Sequence, residues 1–193
     1  AVFLAMALAA MGIIGFFALN RSSKALIDVS WKEGDALVAE LATKLNAQIQ
    51  EYSNMLRMQA ERNVIRSMNW EEQEPALASL YDLYGFLDVF VVNPEGDVRI
   101  VNRNTTGINV KDRDYFVRAL KERRSVISDP VRDRNTGVFS FMYASPIMVE
   151  GKLLGVLAAS QSLEMLSEEV ASVKWGEKGY GYVLDREGLV AAH

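Results

Sequence analysis

Two periods divide this sequence. Val38, Leu41, Leu45, Ile49, Tyr52 and Leu56 recur every three or four residues, the spacing of one helical face. From Leu87 strand signals take over. Leu87-Asp88-Val89-Phe90-Val91-Val92 is rich in β-branched and aromatic residues, Asn93-Pro94-Glu95-Gly96-Asp97 carries turn chemistry, and Val98-Arg99-Ile100-Val101 alternates. Such a chain has to place a long helix ahead of a small antiparallel sheet.

The helix reads from about residue 22 to 68, with a weak point at Gly34 and Ser30 or Asp35 as candidate caps. Pro75 reads as a helix stop, and 75–84 as a short second helix with Leu77, Leu80 and Leu83 on its apolar face. After the hairpin, Asp112 or Asp114 caps a helix running to about Lys121. A short strand at 125–127 and a loop of mixed charge follow. Two longer strands, 138–148 and 153–161, join at the tight turn Glu150-Gly151, and a helix over 163–173 closes the unit. Antiparallel strands with helices on one face make an α+β, PAS-like domain. Residues 181–193 repeat the design of 89–101, strand, acidic-glycine turn, strand. They read as the opening hairpin of a second, truncated unit spanning 174–193.

Ala1 to Leu19 carries no charged side chain. Nineteen helical residues reach about 28 Å, close to the thickness of a bilayer core, so 1–20 reads as a membrane anchor. The expected division is therefore an anchor (1–20), a signalling and dimerisation helix (21–74), a ligand-binding unit (75–173) and the start of a second unit (174–193). The net charge of −4 gives no electrostatic footprint for nucleic acid. The chain has no cysteine, and its one histidine is His193, so no histidine–cysteine metal cluster can form. No Ser/His/Asp set and no phosphate-cradling glycine loop is present. Neither a cofactor nor a catalytic activity is implied.

The chemistry concentrates in Asp112-Arg113-Asp114-Tyr115-Phe116, at the start of a helix lying over the sheet. A guanidinium matches a carboxylate bidentately, and two rings can wall a cup around it. Asp129 and Asp133, in the following loop, could receive an ammonium; their plainer role is turn chemistry. Tyr143 and Ser145 share one face of a strand. Of Ser160 and Gln161, neighbours that face opposite ways, only one can see the cup.

The chain resembles the double-Cache extracytoplasmic sensor domains of bacterial receptors. The likeness rests on Val110-Lys111-Asp112-Arg113-Asp114-Tyr115-Phe116, Ser128-Asp129-Pro130, Thr136-Gly137, Ala144-Ser145-Pro146, Gly155-Val156-Leu157 and Gly179-Tyr180-Gly181-Tyr182-Val183-Leu184-Asp185. It implies a receptor of the chemotaxis, sensor-kinase or cyclic-dinucleotide type in the cell membrane, outside the cytoplasm beyond about residue 20. Its partners would be a small-molecule ligand, the membrane and a second copy along the long helix. Ligand binding would close the cup and shift that helix. The resemblance also marks departures. The last-strand position that holds an amino group in amino-acid-binding relatives falls at Ser160, which has no charge, and Ile108 replaces a tyrosine. The acid-binding half of the pattern stays with Arg113, while the amine-binding half is missing or falls to Asp133. These departures favour a small carboxylate over an α-amino acid. The rival reading is a non-sensing dimerisation module with a filled core.

Overall fold

The computed structural model describes residues 2–103, 107–176, 179–184, 188 and 190–192, the side chains of 2–10, 12–14 and 191–192 excepted. Helix α1 runs from Val2 to Ala60. Among the described residues no helix is long and apolar enough to cross a membrane. The anchor expected over 1–20 falls largely on residues 1–10 and 12–14, outside the described side chains.

Residues 44–193 form one compact unit, and 1–43 another. Within the former, α1 stops at Ala60 rather than near Met68 because Arg62 turns extended (φ −67°, ψ 140°). The turn brings α2 (Asn63–Arg66) back so that Ile65 is fully buried. Helix α3 (Trp70–Tyr84) is capped by Asn69, whose side chain accepts from Glu71 N at 3.2 Å. Pro75 therefore lies inside a helix instead of stopping one. An interior proline removes one backbone bond and costs about 3 kcal/mol. Burial of Leu77 and Leu80 beyond it offsets that loss, at roughly 1.5–3 kcal/mol per side chain.

The main sheet has strands β1 (Asp88–Val92), β2 (Val98–Ile100), β3 (Val126–Ile127), β4 (Val131–Arg132), β5 (Phe139–Val149) and β6 (Lys152–Ser162). Their order is β2-β1-β6-β5-β3, with β4 beside β5, and every pair is antiparallel. Helix α4 (Asp114–Glu122) connects β2 to β3, and α5 (Leu163–Ser172) follows β6, capped by Ser162. Helices cover both faces of the sheet, not one. Leu56, Ile65, Leu77 and Leu80 pack with Val89, Val91, Tyr143 and Leu157 on one side. Tyr115, Phe116 and Ala119 of α4 pack with Phe90, Val156, Ala158 and Met142 on the other. The all-buried pattern of β1 follows from this double cover.

Short pairs β7 (Lys174–Trp175) with β8 (Gly179–Tyr180), and β9 (Val183–Leu184) with β10 (Val190–Ala192), end the described chain. The hairpin expected after Gly181 is thus present as β9–β10. Its turn residues Asp185 and Glu187, and His193, lie outside the described residues.

Candidate functional site

Arg113 is the N-cap of α4, in extended backbone (φ −79°, ψ 132°) and with no side-chain cap bond. Asp114 is the first helical residue, so neither aspartate caps as expected. An N-cap residue stands half outside its helix, which leaves the guanidinium able to reach across the sheet. It donates from Nη2 to Arg132 O at 2.9 Å. Tyr115, two residues on, is buried, and burial pushes its phenol well above its ordinary pKa. The hydroxyl stays protonated at any physiological pH and so has a proton to donate.

These two side chains line a cup with Asp88, Asp133, Asn135 and Arg134 as its polar groups and Phe90, Ile100, Ile108, Val110 and Met142 as its apolar wall. Ile108 contributes aliphatic surface. Asp88 is the residue that sequence reasoning missed. It sits on β1 directly opposite Ser160 of β6 in the sheet register. Its side chain is 1% exposed. Asn135 Nδ2 donates to Oδ2 at 2.7 Å. Oδ1 lies 3.1 Å from Arg103 Nη1, yet no hydrogen bond is aligned on it. Burial raises the Asp88 pKa above the ordinary carboxylate value, against the opposing pull of Asn135 and Arg103. A carboxylate placed in an apolar strand run, Leu87-Asp88-Val89-Phe90, was the available signal.

The loop between β4 and β5 roofs the cup. Asp133 Oδ1 accepts from Asn135 N (2.7 Å) and Thr136 N (2.8 Å), folding the loop back on itself. Arg134 Nη2 donates to Asp112 Oδ2 at 2.6 Å, and its Nη1 donates to Asn109 O. That bond holds the Asp112 carboxyl below its ordinary range. The space left between these side chains is about 20 Å³, room for about one water.

The remaining expected residues lie elsewhere. Phe116 is core, fully buried beneath α4. Asp129 is exposed and does not line the cup. Tyr143 and Ser145 alternate with Met142 and Ala144 and so face away from it: the Tyr143 hydroxyl donates to Gln161 Oε1 at 3.0 Å, and Ser145 Oγ meets Ser125 Oγ at 2.8 Å. Ser160 is on the cup's side of the sheet, but its Oγ accepts from Asp88 N at 3.1 Å. It fixes the backbone of Asp88 rather than lining the cup.

The model of the Cache domain family matches residues 23–193. The chain belongs to that family. Among curated proteins this Cache chain is 24% identical over 81 residues to the methyl-accepting chemotaxis protein PscA of Pseudomonas syringae pv. tomato, covering 42% of the chain and 13% of PscA. It is 26% identical over 139 residues to Sporulation kinase D of Bacillus subtilis, covering 70% of the chain. The Cache chain spans 13% and 27% of the length of these two relatives. Similar solved structures include the ligand-binding domain of the Pseudomonas fluorescens chemoreceptor CtaA with L-serine, at TM-score 0.68 and 17% identity, covering 79% of this chain and 67% of that one. Another is the ligand-binding domain of Campylobacter jejuni Tlp3 with 4-methylisoleucine, at 0.67 and 18%, covering 79% and 64%. The ligand-binding domain of Pseudomonas aeruginosa PctC, in complex with GABA, matches at 0.66 and 19%, covering 79% and 70%. At these identities the likeness is one of fold.

Proposed function

We propose that this Cache domain senses a small zwitterionic metabolite, an amino acid or a close relative, outside the cytoplasm. The observation that carries the reading is the buried Asp88 carboxylate in the same cup as Arg113. Arg113 meets the ligand carboxylate as a fork, Asp88 meets its ammonium, and Tyr115 adds a donor. Asp88 thus supplies, from the neighbouring strand, the charge absent at Ser160. A carboxylate-only ligand brings a second anion beside Asp88, whose charge is met by Arg103 at 3.1 Å, and takes the Asn135 bond from it, which disfavours such a ligand. Support from likeness is independent of the cup: CtaA, Tlp3 and PctC were solved with amino-acid-type ligands.

The roof already uses both anchors, Arg113 through Arg132 O and Asp88 through Asn135. A ligand exchanges those bonds for its own and moves the loop outward, because about 20 Å³ holds no amino acid. Only a difference in affinity between the roofed and the opened state can transmit a signal. Helix α1 carries that difference toward an anchor in the cell membrane and along a paired copy of itself. The small cup is also what a non-sensing module would show, and a ligand screen separates the two readings. Thermal denaturation with amino acids, GABA, amines and organic acids should find zwitterions that raise Tm. A ligand at about 100 times its Kd adds about 2.7 kcal/mol, or roughly 5–10 °C. Arg113→Ala should fold and lose the shift. A screen in which nothing raises Tm, or only plain acids do, removes the reading.

A further inference from the structure

A second and wider recess lies between the last turns of α1, α2, the C-terminal end of α4 and β5. It encloses about 380 Å³. Arg57, Arg66, Arg123 and Arg124 line it, against the single carboxylate of Glu61. Four arginines line this one recess in a chain whose net charge is −4.

We propose that this recess binds a small multivalent oxyanion, a phosphorylated or polycarboxylate metabolite, at a site separate from the cup. Two of the arginines are matched internally, Arg57 to Glu61 at 2.8 Å and Arg124 to Glu122 at 2.5 Å. Arg66 and Arg123 pair with no carboxylate among the described residues. The Arg66 Nε is shielded from solvent and has no hydrogen-bond partner, a donor left unmatched. Arg123 is held in the left-handed region (φ 51°) as the C-cap of α4, and its own contact, to Gly151 O, is long at 3.4 Å. Basic residues at the end of α4 complement its dipole, which accounts for Arg123 and Arg124. That role does not bring Arg57 and Arg66, from two other helices, to the same recess. Planar guanidinia grip oxyanions in pairs, and the recess sets four of them along one concave wall. Ser53 and Asn54 on α1 add neutral polar groups beside them.

The test titrates citrate and inorganic pyrophosphate into the whole chain at ionic strength held constant with sodium chloride. Both should raise Tm by about 5 °C at saturation. The shift should vanish in the double variant R66Q/R123Q and persist in R113A, whose change lies in the cup. In the unmodified chain the nitrogen–proton NMR signal of Arg66 Nε should move on titration, a readout that survives if the double variant fails to fold. The proposal falls if the anions act no more strongly than chloride, if the Arg66 signal stays still, or if R66Q/R123Q keeps the shift. Loss of the shift in R113A would instead place the anion in the cup.

Discussion

Asp88 decides more than any other side chain. A buried carboxyl whose pKa is raised is held protonated more readily when folded than when unfolded. Stability therefore falls as pH rises from the ordinary carboxylate value, near 3.8, through its raised folded value. An ammonium beside Asp88 reverses that preference, because it favours the charged form. Zwitterion affinity is thus expected to climb over the same pH window, with a proton released on binding. Calorimetric titration across pH in buffers of different ionisation heat checks both. In Asp88→Asn the climb should flatten and zwitterion affinity should drop by about thirtyfold or more, on the order of the 2–5 kcal/mol for losing one partner of a buried pair. An unchanged pH profile in that variant would move the ammonium site elsewhere, with Asp133 the next candidate.

At the scale of elements, the contact between β1 and β6 sets where Asp88 points. Gly155 of β6 lies against Val92 O, and a Cβ there would come within 2.5 Å of that oxygen. Gly155→Ala should push the strands apart at the end far from Asp88 and cost about 1–3 kcal/mol, measurable by urea denaturation. A loss well under 1 kcal/mol would show that the sheet can yield there. Helix α5 hangs on its cap: Ser162 Oγ accepts from Glu164 N at 3.0 Å. Ser162→Ala should cost about 1 kcal/mol, while Ser162→Asp should restore stability. Denaturation of the pair checks whether the cap bond, rather than side-chain size, carries the effect. Tyr81 joins α3 to the sheet from both sides, accepting from Val89 N at 3.1 Å and donating to Val101 O at 3.0 Å. Burial raises its pKa, so the hydroxyl that makes both bonds keeps its proton.

At the scale of the whole molecule, residues 44–60 of α1 pack in one layer with α2 and α3 on the sheet, within the unit that holds the cup. Leu56 is fully buried in that layer. Leu56→Ala should cost about 2–5 kcal/mol, seen as a Tm drop of roughly 4–20 °C; a drop of only about a degree would mean that residues 44–60 pack only lightly on the sheet. Tyr52 shares the layer, edge-on to Tyr84, Phe86 and Tyr143 with ring centroids 5.5–5.9 Å apart. Much of this architecture is legible from local pattern. The 3.6-residue period gives α1, alternation and turn residues give β1, β2, β5 and β6, and the Asp112–Phe116 run gives the start of α4. The legible features are those whose cause lies within a few residues of chain. Three others depend on distant contacts. Pro75 stays inside a helix because buried leucines beyond it outweigh its lost bond. Tyr143 turns away from the cup because strand alternation assigns it to the face that α1 covers. Asp88 comes to lie opposite the uncharged Ser160 although it stands 72 positions earlier in the chain. Sequence alone determined the order of the main elements and the place of Arg113 at the start of α4; only the tertiary structure put Asp88 of β1 into the same cup, because register, not sequence spacing, decides which side chains share a cup.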